Sequence, residues 1–228
     1  MITLEGVNRG SQLVKRSLNT LLVGLGWDEA RHSLLNRLRG IISGNREDTP
    51  DLDLDLSMVI FGEDGELYDT DPKRSFVWHD NLRMFGAIKH HGNNRTGEGD
   101  GCDEYITVNF EFLPEDVSKM TAVVNITNGI RRRQDFTQAG NAYITLIDFD
   151  KMEEICTLSL NKSSNREMTG LFAFDIERAA DKTWRFKILD KPCQKADQAV
   201  SMFRHYLDEG LARSLDIAFK QAHEHQSR

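Results

Sequence analysis

Tyr105-Ile-Thr-Val-Asn-Phe-Glu-Phe112 places Ile106, Val108, Phe110 and Phe112 in alternation with Tyr105, Thr107, Asn109 and Glu111. Successive side chains of an extended strand point to opposite faces, so this period of two predicts a strand with one buried face over 105–112. Working outward, apolar runs rich in β-branched and aromatic residues predict further strands at 20–27, 54–61, 75–79, 120–127, 142–149, 154–160, 168–176 and 184–189. Clusters of Gly, Asn and Asp divide them. About nine strands in one acidic chain point to a mainly β fold, a two-sheet β-sandwich.

Two segments break the rhythm. Over 28–42, Leu34, Leu35, Leu38, Ile41 and Ile42 recur at helical spacing and lead into the polar link 43–50, which predicts a helical insertion. Over 193–223, Ala196, Val200, Phe203, Leu207, Leu211, Leu215, Ala218 and Ala222 fall three or four apart, with Gly210 as a break. That stripe predicts a C-terminal helical extension, packed on the sandwich or on its own second half, or else turned to a partner. The expected division is a sandwich domain over 1–190 and the extension over 191–228.

With 228 residues, 39% hydrophobic and 29% charged, the chain is long enough to bury a substantial core. Its formal net charge of −7 argues against a general nucleic-acid or anionic-membrane binder, which needs a basic field, and favours cations or basic partners. No run approaches the roughly 20 apolar residues of a membrane span, and residues 1–6 lack the layout of a secretory signal. A cytoplasmic location is the expectation. Cys102, Cys156 and Cys193 are widely spaced, as expected of reduced thiols, and form no zinc-type ligand pairs.

Immediately before the decisive strand stands Asn93-Asn-Arg-Thr-Gly-Glu-Gly-Asp-Gly-Cys-Asp-Glu104. Glu98, Asp100, Asp103 and Glu104 supply carboxylates; Asn93, Asn94 and Thr96 supply neutral oxygens; Gly97, Gly99 and Gly101 let backbone carbonyls turn inward. Ca²⁺ takes six to eight such hard oxygen donors. Mg²⁺ demands stricter octahedral geometry and suits a many-oxygen loop less well. A second acidic run, Asp51-Leu-Asp-Leu-Asp-Leu56, would if extended set Asp51, Asp53 and Asp55 on one face, roughly 7 Å apart. At that spacing neighbouring charges repel by about 0.6 kcal/mol in water and about 2.4 kcal/mol at an effective dielectric near 20. Solvated, such a row is an edge-strand device against aggregation; half-buried, it calls for a cation. An EF-hand is excluded: with Gly99 at the invariant sixth position, Tyr105 falls where the bidentate Glu belongs.

Other candidates are weaker. His90 and His91, as strand neighbours, would point to opposite faces and not share one ion. Arg131-Arg132-Arg133 reads as a solvated run, and His223 and His225 lie in a polar tail. No Gly-x-Ser-x-Gly, phosphate-binding or dinucleotide motif occurs, and the acidic neighbours of Cys102 disfavour a reactive thiolate.

Val23-Gly-Leu-Gly-Trp-Asp28, Asp53-Leu-Asp-Leu-Ser57, Phe76-Val-Trp-His-Asp-Asn-Leu82, the acidic stretch 93–104 and Trp184-Arg-Phe-Lys-Ile-Leu189 occur in this order. Together they resemble the tellurium-resistance TerD family over roughly residues 1–190. The resemblance implies a β-sandwich that binds one or two Ca²⁺ ions, in a cytoplasmic protein of the bacterial tellurite and chemical-stress response that acts through other stress-response proteins and without catalysis. It implies ligands among Asp28, Asp53, Asp55, Asn81, Asn94, Glu98, Asp100, Asp103 and Glu104. Asn93 and Cys102 stand where the family usually carries Asp, so one site is expected to be weaker. Asp80 stands where Asn is common. Two other readings stay open: a metal-dependent hydrolase using the same carboxylates, and a metal-free interaction scaffold.

Overall fold

A computed structural model describes residues 1–28, 52–69, 71–92 and 101–194. The predicted helical insertion at 28–42 lies outside these residues except for Asp28, and so does the C-terminal stripe beyond residue 194. The described residues form thirteen strands: β1 (Ile2–Val7), β2 (Leu13–Leu18), β3 (Thr20–Asp28), β4 (Leu54–Phe61), β5 (Phe76–Val77), β6 (Arg83–Met84), β7 (Ile88–His90), β8 (Glu104–Asn109), β9 (Lys119–Ile126), β10 (Gly140–Asp148), β11 (Glu153–Ser159), β12 (Gly170–Arg178) and β13 (Trp184–Cys193). A short α-helix, α1, spans Gly129–Arg132.

One sheet runs β2-β1-β13-β12-β9-β4-β5 and the other β11-β10-β3-β8-β7-β6. Neighbours are antiparallel except β1 with β13, whose register pairs Leu4 with Trp184. The main core is built from the facing sides of both sheets, with Leu54, Leu56, Met58 and Ile60 of β4 opposite Ile106 and Val108 of β8 and Val23 and Leu25 of β3. This is the two-sheet sandwich that the alternation predicts. Among the described residues no helix is long and apolar enough to cross a membrane.

Two differences from the sequence reading are instructive. The strand expected over 105–112 is Glu104–Asn109, and Phe110–Phe112 curls into a 3-10 turn. There Phe110 N–H donates to Asn19 O, and the Asn109 side chain accepts from Glu111 N–H, a local bond that competes with further strand pairing. The count also exceeds nine because β1, β2, β6 and β7 are present. β2 is an edge strand whose exposed face carries Leu13, Lys15 and Ser17, and β6 and β7 are two and three residues long. Neither leaves a strong pattern in the sequence.

All strand ends adjoining the acidic motifs gather at one end of the sandwich. Asp28 closes β3, Leu54 opens β4, Glu104 opens β8 and Ile126 closes β9; Leu54 pairs with Ile126 and Leu25 with Glu104. Topology, not proximity in the chain, brings them together.

Candidate metal centre

The alternation of β8 extends one residue further back than the apolar run suggests. Glu104 is in phase with Ile106 and Val108, so its carboxylate is carried inward and is 1% exposed. β5 pairs with β4 only at Met58 and Val59, so among the described residues no strand covers the edge of β4 at Leu56. Two side chains from the opposite sheet fill that gap. Leu56 N–H donates to Glu104 Oε2 at 2.8 Å, and His90 Nε2 lies 3.2 Å from Leu56 O and 3.5 Å from Glu104 Oε2. Because His90 Nδ1 accepts from Gly92 N–H at 3.2 Å, the ring proton sits on Nε2, the atom that donates to Leu56 O. Glu104 and His90 thus stitch the sheets together at their open end.

That stitching uses one carboxylate oxygen. Glu104 Oε1 is buried with no hydrogen-bond partner among the described residues. Burial pushes the Glu104 carboxyl above the ordinary range, partly offset by His90 and the Leu56 N–H, with the nearby Asp55 charge adding to the rise.

Asp55 is the second buried carboxylate, 3% exposed. Its place in a strand buried along its whole length excludes the solvated edge row for this residue. Its direct cross-strand partner Asn125 donates to Oδ2 at 3.2 Å, and Thr127 Oγ also donates to Oδ2. His79 Nδ1 stands 3.2 Å from Asp55 Oδ1, while its Nε2 is 3.4 Å from Asp80 Oδ2. The adjacent Asp55 carboxylate raises the His79 pKa, against the opposing pull of burial. Among the described residues neither Asp55 nor Glu104 forms an ion pair with Lys or Arg.

Asp103 is fixed differently. Residues 101–103 lie along β3, where Asp103 N–H donates to Leu25 O and Asp103 Oδ2 accepts from Trp27 N–H, both at 2.8 Å. Tyr143 Oη donates to Gly101 O at 2.8 Å. Two glycines make room for this strap. A Cβ on Gly24 would stand 2.3 Å from Cys102 Sγ, and one on Gly26 would stand 2.6 Å from Tyr143 Oη and 2.7 Å from Gly101 O. Burial pushes the Tyr143 hydroxyl up to about 12, with the charges of Asp103 and Asp28 contributing. Asp28 accepts from Asn141 Nδ2 at 2.5 Å.

The predicted ligands that are described therefore do not form one set. Asp55 and Glu104 share one electrostatic neighbourhood with His79 and His90. Asp28 and Asp103 share another around Tyr143. Asn81 lies in a turn, its amide nitrogen donating to Lys73 O at 2.9 Å and Phe76 O at 2.6 Å. Asp53 precedes β4, and its carbonyl accepts from Thr127 N–H at 2.9 Å. Asn94, Glu98 and Asp100 lie outside the described residues. Within the described residues alone, no group of three or more His, Cys, Asp or Glu could hold a metal ion.

Sequence reasoning missed His79, Asn125 and Thr127 as partners of Asp55. Asn125 and Thr127 are 70 and 72 residues away in the chain, and only the β4–β9 register reveals them. Glu104 in an inward phase was a readable signal. His90 and His91 do point apart, since His91 stacks on Tyr105 at 4.5 Å and its Nε2 lies 2.8 Å from Thr107 Oγ. Cys102 is no activated thiol, because burial raises its pKa and Asp103 adds to the rise. The Arg131–Arg133 run forms α1 and its left-handed cap.

The family model of the TerD domain matches residues 7–200. The chain is 34% identical over 185 residues to the tellurium resistance protein TerD of Alcaligenes sp, covering 80% of this chain and 85% of that one. It is 33% identical to the stress response protein SCP2 of Bacillus subtilis (strain 168), covering 75% and 82%. A crystal structure of a TerD homologue from Streptomyces coelicolor A3(2) superposes with a TM-score of 0.59 at 18% identity, covering 82% and 95%, and shares the fold. By the family model and by these relatives, the chain belongs to the TerD family of tellurium-resistance and stress-response proteins.

Proposed function

We propose that this chain is a non-enzymatic, cytoplasmic Ca²⁺-binding member of its family, acting in the tellurite and chemical-stress response through a calcium-stabilised surface that engages other stress-response proteins. The observation that carries the reading is Glu104: a carboxylate 1% exposed, with Oε1 unpartnered, beside the buried Asp55, and no lysine or arginine paired with either among the described residues. An isolated buried carboxylate is costly unless it is protonated or meets a cation. Asp55 and Glu104 offer carboxylate oxygens, the imidazole of His90 is already engaged with Leu56 O and Gly92 N–H, and no cysteine pair stands beside them among the described residues, which fits a hard cation better than zinc.

In this reading Asp53, Asp55 and Glu104 hold one ion, with oxygens from Asn94, Glu98 and Asp100 completing the six to eight donors required. Asp28 and Asp103 contribute to a second, weaker position, because Asn93 and Cys102 remove two negative charges from the motif. The chain's own residues supply charge and orientation: Leu56 N–H aims Glu104, Trp27 N–H aims Asp103, and Asn125 with Thr127 aims Asp55. Asn81 is left to its turn.

The test is thermal unfolding of chelator-treated protein with and without Ca²⁺. Binding to the folded state alone stabilises by about 2.7 kcal/mol at a hundredfold excess over Kd, which raises Tm. Mg²⁺ should give a smaller rise. A Tm that is the same with chelator and with millimolar Ca²⁺ refutes the proposal.

A further inference from the structure

Of the strands that end the two sheets, β5 and β6 are two residues long, and β11 is interrupted by a bulge opposite Leu146 and Ile147. Short length and bulges are common means by which an edge avoids pairing with another chain. β2 has neither: it is six residues long and keeps unbroken register with β1 from Leu18 to Leu13. Two bonds show which of its peptide groups face outward. Asn8 N–H donates to Gln12 O, so that carbonyl is turned toward β1, and alternation turns the groups of Leu13, Lys15 and Ser17 away from it. Ser17 O accordingly accepts from Nζ of Lys151, in the β10–β11 turn, at 3.1 Å. Among the described residues the outward groups of Leu13 and Lys15 have no such cap. Their side chains are open as well: Leu13 is 75% exposed beside its cross-strand partner Val7 at 52%, and the Lys15 side chain is 66% exposed.

We infer that β2 is a self-pairing edge, to which a second copy of this chain adds its own β2 antiparallel, with Leu13 opposite the second copy's Lys15 and Lys15 opposite the second copy's Leu13. The outward groups select this register. A two-fold pairing must match odd-numbered residues with odd-numbered ones, because only these carry outward groups. Centred on Lys15 or Arg16, it would need Ser17 O, which Lys151 already holds, and on Lys15 it would also set two ammonium groups face to face. Centred on Leu13, it would run into the turn at Ser11, whose φ is 59°. Centred on Val14, it meets none of these obstacles. Leu13 then lies against the aliphatic stem of the second copy's Lys15, and each exchanges its N–H and C=O with the other.

Charge favours a copy over a strongly charged partner. Lys15 lies 3.8 Å from Glu5 and Arg16 3.6 Å from Glu153, so the basic groups of this edge are matched within their own chain. Pairing over so few residues falls short of the roughly 1,200–2,000 Å² that a stable interface buries, so the association is reversible and depends on concentration. The antiparallel arrangement sets the acidic ends of the two copies at opposite ends of one joined sheet. The inference is independent of calcium.

The experiment is sedimentation velocity of the full chain, in chelator, from about 10 µM to about 1 mM. The sedimentation coefficient should rise with concentration. Lys15→Pro removes an outward N–H and leaves the bonds to β1 in place, so it should sediment as a monomer throughout while unfolding at the parent's midpoint. Cross-linking reads the register. In this pairing Val14 faces the second copy's Val14 with Cα atoms about 4.5 Å apart, within disulfide range, whereas the two copies of Lys15 stand diagonally at about 7–8 Å. Under oxidised glutathione, Val14→Cys should therefore form a covalent dimer several-fold faster than Lys15→Cys. A parent chain that stays monomeric at every concentration, a folded Lys15→Pro chain that associates as the parent does, or faster cross-linking by Lys15→Cys overturns the inference.

Discussion

The two ends of the sandwich each bury carboxylates and neutralise them differently. Asp148, at the end of β10, is 0% exposed, and Lys151 reaches back so that Nζ lies 2.8 Å from Oδ2 and the Lys151 N–H 3.2 Å from Oδ1. At the opposite end, Asp55 and Glu104 meet amide, hydroxyl and imidazole groups, and His90 carries its proton on Nε2 for Leu56 O. Among the described residues, one end holds its own permanent cation and the other does not. The contrast sets a lysine three residues beyond one buried aspartate against two buried carboxylates with no lysine or arginine partner among the described residues, and it is the feature on which the proposed calcium site rests.

Making the two ends alike is the way to break this contrast. The largest effect should come from Lys151→Met, which leaves Asp148 buried and unpaired. Removing one partner of a buried pair costs about 3–5 kcal/mol, reduced here to about 2 kcal/mol because Lys151 is half exposed. Denaturant unfolding should record that loss, and Ca²⁺ should not restore it. A comparable loss, about 1–3 kcal/mol, is expected of Gly26→Ala, because the new Cβ meets the Gly101 carbonyl and must displace the strap that carries Asp103. Unlike Lys151→Met, it should also weaken the Ca²⁺ response.

Glu104→Gln acts in the opposite sense. The amide oxygen can still accept from Leu56 N–H while the buried charge is gone, so the chelator-treated protein should gain about 1 kcal/mol. The same substitution should remove most of the Tm rise that Ca²⁺ gives. A variant more stable without the ion and indifferent to it is hard to explain by a purely structural carboxylate.

The smallest effect concerns His91, which directly follows β7. Burial, with Lys89, His90 and Arg83 nearby, lowers its pKa below 6.5, so the unfolded chain binds the proton more readily. Its contribution is therefore fully present above about pH 6.5 and is lost as pH falls through the depressed folded value. His91→Gln should flatten the stability profile below pH 6.5 and leave it unchanged above.

Much of this arrangement can be read from the chain. The alternation of Ile106 and Val108 predicts β8, and the run Leu54–Phe61 predicts β4 to the residue. The same alternation, carried back one step, predicts an inward Glu104. The glycines of Val23-Gly-Leu-Gly-Trp27 also acquire a reason, since they admit Cys102 and Tyr143 against β3. What was not readable depends on register between distant strands. Asp55 finds Asn125 only because β4 lies beside β9, and the aspartate row is not a uniform ladder: Asp55 lies in β4, Asp53 precedes it and Asp51 is outside the described residues. Short strands such as β6 and β7 carry too few residues to display a period, and β2 mixes Lys and Arg with its apolar residues as an edge does.

The most direct measurement is isothermal titration calorimetry of the chelator-stripped chain with CaCl₂, run beside Glu104→Gln and Lys151→Met. The account predicts saturable Ca²⁺ heat in the parent chain and in Lys151→Met, with a much weaker response in Glu104→Gln. Absence of Ca²⁺ heat in the parent chain at millimolar ion, or equal binding by Glu104→Gln, would contradict it.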